Sequence, residues 1–200
     1  VSNICAMIVA MKRSSVVGLM SILLLLLCSL VSCDNFERGA RRLERQLHIQ
    51  QQRANLLTQQ VCEALAAKNF DTLHHSLQAV DDVLLYIYHG QRLVYWSDSW
   101  LSSSYLPMRD VYDQWQYAQW NNAQGICKRT RVGDMHVLTI IPIKYAYRVT
   151  SENLNNTFIR PFKGDQSWSL VQRHGQAVGF YPIRSLDGEY LFSLQKNPQS

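Results

Sequence analysis

The sequence predicts an α+β protein: an N-terminal membrane helix, a long helix beyond it, then a domain built on an antiparallel sheet. Three observations predict it. An uncharged apolar run covers residues 16–31, a proline-free stretch with helical apolar spacing follows to about Val80, and the remainder breaks into short β-prone runs divided by turn residues. A helix followed by strands gives α+β rather than alternating α/β. The composition agrees, because 47% hydrophobic and 18% charged residues in a chain of 200 exclude a disordered, collagen-like or many-pass membrane protein. The expected boundaries are 1–11 as an upstream extension, 12–33 as a signal anchor or transmembrane helix, 34–80 as the long helix, 81–196 as the α+β domain and 197–200 as a tail.

The first element is VVGLMSILLLLLCSLV, preceded by Lys12 and Arg13 and followed by Asp34 and Glu37. Basic residues resist translocation, so the chain is expected to run from inside to outside, with its bulk beyond the cytoplasmic membrane. Met11 opens a signal-type sequence, MKRSSVVGLM. The run is short for a spanning helix and slightly long for the core of a cleaved signal peptide. An uncleaved anchor is the leading expectation. The first alternative is a ligand-binding lipoprotein, because Leu30-Val31-Ser32-Cys33 fits the bacterial lipobox, which would acylate Cys33; plain secretion after cleavage is the third fate.

The second element repeats apolar residues at steps of four and three: Phe36, Ala40, Leu43, Leu47, Ala54, Leu57, Val61 and Ala64, with Gln50 inside the seam. So narrow a stripe suits a parallel homodimeric coiled coil, with Leu43, Leu47, Gln50 and Leu57 in its seam. The competing reading is a single amphipathic helix folded back on its own domain. After Ala64 the stripe widens to Leu65, Phe70, Leu73, Leu77 and Val80, where the helix is expected to dock.

The sheet elements come next. Val83–Ser97 reads as a hairpin turning at His89-Gly90-Gln91, where glycine supplies the turn dihedral. Residues 101–122 read as a loop with a short helix near 111–120. Met135–Ile143 follows a Gly133-Asp134 turn, and Pro142 within it demands an edge position or a bulge. Ser151–Phe158 is a short helix or turn. Trp168–Gln172, Ala177–Ile183 and Glu189–Gln195 are strands, with Asp187-Gly188 turning into the last.

Several functions find no support in the residues. The net charge of +5 is scattered apart from 12–13, 38–45 and 128–131, so no nucleic-acid partner is expected. Phosphate-binding glycine loops, the nucleophile elbow and H-E-x-x-H are all missing, so no catalytic residue, metal or cofactor is expected. Five cysteines carry no C-x-x-C pair, and only Cys62 and Cys127 fall in the globular part. Whether those two pair is open at this level; two ordinary buried thiols is the simpler reading. His74-His75 and Asp81-Asp82 read as a solvated helix face, since helical neighbours point about 100° apart. Tyr95, Trp96, Trp100, Tyr105, Tyr112, Trp115, Tyr117 and Trp120 gather among Asp98, Asp110, Asn121 and Asn122. Flat aromatic faces beside polar groups suit a small-ligand pocket, and they suit an ordinary core equally.

Four segments in order carry a resemblance. Residues 86–98, YIYHGQRLVYWSD, are similar to the hairpin opening the extracytoplasmic sensor of bacterial hybrid two-component histidine kinases, where a strand ends in Trp-Ser-Asp after a long helix. Ile141–Tyr147 resembles that family's Ile-Lys-x-x-Tyr strand, Leu154–Phe158 its Leu-x-x-x-Phe element, and Leu186–Leu194 its last sensor strand. The likeness covers roughly residues 12–196. It departs at Ser99 and Ser151, each where asparagine is expected, and at Gly125-Ile126-Cys127 in place of Gly-Trp-Tyr. The resemblance implies a PAS- or Cache-like sensor domain, anchored in the bacterial cytoplasmic membrane with the domain in the periplasm. Its input would be a small molecule or an envelope signal, and Tyr95, Trp96, Asp98, Lys144 and Tyr147 are the ligand-binding candidates. A second span, a phosphoacceptor helix and an ATP-binding domain follow in that family. None precedes Ser200, so a chain without kinase activity is expected, as a fragment or a truncated relative.

Overall fold

The computed structural model describes residues 35–69, 82–99, 101, 112–149, 151, 154–173 and 179–197. The chain divides into two compact units, Val1–Gly39 and Ala40–Ser200. Of the first, only 35–39 is described, and it is the opening turn of the helix. The apolar run at 16–31, Cys33 and residues 70–81 lie outside the described residues. Among the described residues no helix is long and apolar enough to cross a membrane.

Among the described residues one helix, α1, covers 35–66 and is built largely from the good helix formers Ala, Leu, Gln, Arg and Glu. Eight strands follow among the described residues: β1 Leu84–His89, β2 Arg92–Trp96, β3 Gln116–Gln119, β4 Ala123–Val132, β5 Met135–Tyr145, β6 Trp168–Val171, β7 Phe180–Arg184 and β8 Tyr190–Lys196. They form a five-stranded sheet in the order β2-β1-β5-β4-β3 and a three-stranded sheet in the order β6-β8-β7. Every pairing is antiparallel. The fold is α+β with an antiparallel sheet domain, as expected.

The helix ends well before Val80. Lys68 adopts a left-handed φ of 54°, Asn69 N–H donates to the Ala64 carbonyl at 2.9 Å, and Lys68 N–H donates to Leu65 at 3.1 Å. These two bonds satisfy the last carbonyls of the helix and turn the chain away. The usual signal for this stop is glycine, and Lys68 conceals it.

The residues expected in a dimer seam lie on a face that packs inside the single chain. Leu43, Leu47 and Gln50 are buried within the chain itself, and Leu57 is half-buried. Gln51 and Thr58 are buried beside them, so the face is wider than a coiled-coil seam. It belongs to a helix packed on its own domain. Near its end, Val61 and Ala64 lie against Leu85, Ile87 and Val137. Residues of opposite parity, Leu84, Tyr86, Leu138 and Ile140, fill the other face of the sheet with Leu101, Trp120 and Cys127. Both faces of β1 and β5 are therefore covered, which explains their near-continuous apolar runs.

Pro142 sits in the central strand, where a missing N–H should be costly. It is tolerated because β1 reaches only to Ile140 and β4 carries a register shift at Gln124/Gly125. Beyond that point residues 157–159 take over the exposed edge: Tyr145 N–H donates to the Thr157 carbonyl at 2.9 Å and Ile159 N–H to the Ile143 carbonyl at 2.8 Å. The short helix expected near 111–120 is in fact strand β3, paired on β4. Strand β4 itself carries little apolar alternation, so no local pattern marks it as a strand. Ser151 and Leu154 exchange backbone hydrogen bonds as a turn, not a helix.

Candidate functional site

A cleft of about 830 Å³ opens between β3 and the β7–β8 turn. One wall is the unbroken run Asp113–Gln119; the other is Ser185, Asp187, Glu189 and Tyr190, with Gln172 at one end. The first wall is positioned by the sheet. Asp113 N–H donates to the Arg129 carbonyl at 2.7 Å, and Asp113 takes a φ of 59°, which aspartate tolerates better than most residues. Trp115 is buried, with Lys128 Nζ 5.3 Å from its ring centroid. Tyr117 meets Phe192 of β8 at 5.7 Å between ring centroids.

The second wall is a tight turn. Ser185 N–H donates to Glu189 O at 2.7 Å, Gly188 N–H to Ser185 O at 2.9 Å, and Glu189 N–H to Ser185 Oγ at 3.1 Å. Gly188 has φ 84°, a value that favours glycine, which is why Asp187-Gly188 was readable as a turn. Tyr190 is fixed by its hydroxyl, which donates to the Arg173 carbonyl at 2.8 Å and accepts from Arg173 N–H at 3.1 Å.

Electrostatics distinguish the cleft. Burial, and then Tyr190, push the Tyr117 phenol up to about 12, so it stays protonated as a donor. Burial lowers the Lys128 pKa, while Asp113, Cys62 and Asp187 pull it back up. That ammonium donates to Asn55 Oδ1 on α1. Among the described residues no group of three His, Cys, Asp or Glu side chains is arranged to hold a metal.

The expected ligand residues do not converge. Tyr95 and Trp96 register through β1 on Val137 and Leu138 of β5. Lys144 lies six residues beyond Leu138, roughly 20 Å along the strand. Tyr95 packs at the helix face, Trp96 is 51% exposed, and Asp98 uses its carbonyl to accept from Tyr86 Oη at 3.0 Å. Lys144 is buried and donates to the carbonyls of Trp168 and Gln166, with Nζ 5.1 Å from the Phe158 ring centroid. Those contacts tie residues 158–168 to β5, which makes Lys144 a structural anchor. Tyr147 is half-buried, stacked on Tyr145, and its N–H donates to Asn156 Oδ1 at 2.7 Å.

Of the aromatic cluster, Trp115 and Tyr117 line the cleft, whereas Trp120 is core and Trp100, Tyr105 and Asp110 lie outside the described residues. Asp187, Glu189 and Tyr190 were missed as site residues, because only tertiary packing brings them opposite β3. Cys62 and Cys127 are both free thiols, and they pack in clusters on opposite faces of the sheet, so they do not pair.

No family model, no curated protein and no solved structure matches this chain.

Proposed function

We propose that this chain is the membrane-anchored, extracytoplasmic input region of a bacterial two-component histidine kinase. It binds a small molecule or reads an envelope condition, and it carries no kinase chemistry of its own. The four ordered segment resemblances support this reading, as does a long helix preceding an antiparallel domain. The observation that carries it is a clamp between α1 and the cleft. Glu44 Oε1 accepts from Arg184 N–H at 2.9 Å, His48 Nε2 lies 3.0 Å from the Arg184 carbonyl, and Gln51 Oε1 accepts from Leu186 N–H at 2.9 Å. Residues 44, 48 and 51 form one row along the helix. They grip the backbone that leads directly into the cleft wall at Ser185–Glu189.

A ligand that prefers one arrangement of that turn therefore acts on the helix through three hydrogen bonds. It shifts an equilibrium by its differential affinity for the two arrangements, a coupling typically worth about 1–3 kcal/mol. In this reading the helix carries the signal from its own domain towards the anchor at 12–33, without the apolar seam first expected of it.

The test is a chimera in which residues 1–200 precede the second span and catalytic core of a histidine kinase with a transcriptional reporter. Triple substitution of Glu44, His48 and Gln51 by alanine should shift basal output several-fold while the domain stays folded by circular dichroism. Output identical to that of the parent chimera would reject the coupling.

A further inference from the structure

We infer that the cleft is a groove for β-augmentation, in which an extended peptide segment with basic side chains adds to the five-stranded sheet along β3. This names a ligand class for the input-domain reading, on which it rests for its biological sense but not for its chemistry. Strand β3 ends the sheet order and pairs only with β4. Trp120 N–H donates to the Ala123 carbonyl at 2.8 Å, which fixes the phase of the ladder. Running back along the register from that bond, Ala118 and Gln116 exchange hydrogen bonds with Gly125 and Cys127. Tyr117 and Gln119, opposite Ile126 and Gln124, therefore turn their N–H and C=O groups away from β4. Among the described residues none of these four groups has a partner.

That open edge faces the cleft. Ala118 points into the core with Tyr86 and Leu138, and Tyr117 points the other way, towards Phe192. Both nonetheless line the cleft, as does every residue from 113 to 119. Successive strand residues line one space together where that space runs along their backbone. The wall extends for roughly 23 Å, the length of an extended peptide of about six or seven residues. Proteins usually blunt an exposed edge with a positive charge, a proline or a bulge. Strand β2, at the opposite edge of the same sheet, carries both Arg92 and a register shift at Ile87/Tyr88. Strand β3 reads QYAQ, with no charge, no proline and no register shift. It is left fit for pairing, inside a cleft that keeps other sheets away.

In this mode the main-chain bonds supply affinity and the flanking side chains supply preference. Asp113 flanks β3, Asp187 and Glu189 stand on the turn opposite, and among the described residues no lysine, arginine or histidine lines the space. A strand bearing lysine or arginine meets opposite charge there, and an acidic strand meets like charge. The carboxylates select among peptides; the backbone edge makes the site.

The full chain, solubilised in neutral detergent and titrated into fluorescein-labelled KVKVKV amide, should give a saturable rise in anisotropy. The same peptide methylated on every backbone nitrogen keeps its charge but cannot donate to the Tyr117 and Gln119 carbonyls. It should bind roughly tenfold more weakly or worse. EVEVEV amide should also bind roughly tenfold more weakly, through like-charge contacts. Gln119→Pro removes one outward N–H and no ladder bond, and proline is tolerated on a strand edge. It should weaken KVKVKV binding roughly fivefold at an unchanged melting temperature. If that variant unfolds, the methylated peptide makes the same test on the parent protein. Absence of saturable KVKVKV binding, or equal binding by its methylated form, overturns the groove. Equal binding by EVEVEV overturns the basic ligand class. The chimera's response to the Glu44, His48 and Gln51 substitutions needs no ligand, so failure here is distinguishable from failure of the input-domain reading.

Discussion

Thr58 and Thr139 meet in the helix–sheet interface with their hydroxyl oxygens 2.6 Å apart, both side chains buried. The direction of the bond follows from counting protons. Thr58 Oγ1 already donates to the Ala54 carbonyl at 2.7 Å, so Thr139 is the donor and Thr58 the acceptor. The pair is asymmetric. Thr139→Val leaves Thr58 bonded to Ala54 and should cost about 1 kcal/mol. Thr58→Val strands the Thr139 hydroxyl and should cost about 1–3 kcal/mol. The double variant should be less destabilised than the sum of the two. Urea unfolding of the four proteins measures this, and additive losses would mean that the hydroxyls do not interact.

A second prediction separates the packed helix from a dimeric one. Leu47 has no exposed surface, so Leu47→Ala should cost about 2–5 kcal/mol through cavity formation. Ile49 is 55% exposed, and Ile49→Ala should stay within about 0.5 kcal/mol. Cysteine at position 47, in a background without native thiols, should resist crosslinking to a second chain. Rapid disulfide formation there would restore the seam.

Gln50 Oε1 is buried without a hydrogen-bond partner. Gln50→Leu removes that unsatisfied oxygen and keeps most of the volume. The variant should be about 1 kcal/mol more stable than the parent. A lower thermal midpoint would show that the amide is satisfied in solution.

Gly125 faces the β5 backbone at the register shift. An added Cβ would collide with the Ile141 carbonyl oxygen and stand 2.9 Å from Pro142 Cα. Backbone cannot rotate aside as a side chain can, so Gly125→Ala should cost roughly 1–3 kcal/mol. Gly90→Asn is the control, because its Cβ would meet open space and asparagine tolerates φ 60°. Equal losses at both positions would contradict the close approach.

Alkaline pH should unfold the domain in a defined window. Burial raises the Cys127 thiol from 9.0 to about 12, and burial is likewise the main cause that raises Tyr86 and Tyr117 from 10.0 to about 12. The unfolded chain therefore loses these protons first, so stability is intact below pH 9 and declines from there towards pH 12. Cys127→Val removes the earliest of the three titrations. Burial raises the half-buried Cys62 thiol from 9.0 as well, so the urea midpoint of Cys62→Val/Cys127→Val should stay level about one pH unit further, to the tyrosine range. The same onset in this variant and the parent would remove the thiols from the account.

The sequence by itself determined the class and much of the strand inventory. The β1–β2 hairpin, the Gly133-Asp134 and Asp187-Gly188 turns, and strands β5 to β8 all announced themselves through local chemistry: β-branched or aromatic runs bounded by residues able to take positive φ. Pro142 correctly signalled an irregular ladder. Local signals fail where a residue's role depends on something distant in the chain. The second half of strand β4 reads as CKRTRV rather than as an alternating run, and only the strand's place between β5 and β3 makes it a strand. Lys68 closes the helix although no glycine marks the stop. The heptad from Ala40 to Ala64 specified an apolar stripe, but periodicity is blind to what covers it; the sheet, and the backbone of Arg184 and Leu186, decided that. Lys144 looked like a ligand contact, and two carbonyls from β6 and the turn before it made it an anchor. The cleft was least legible of all. Its two walls lie some seventy residues apart, and their carboxylates face one space only because β3 and β8 pack together.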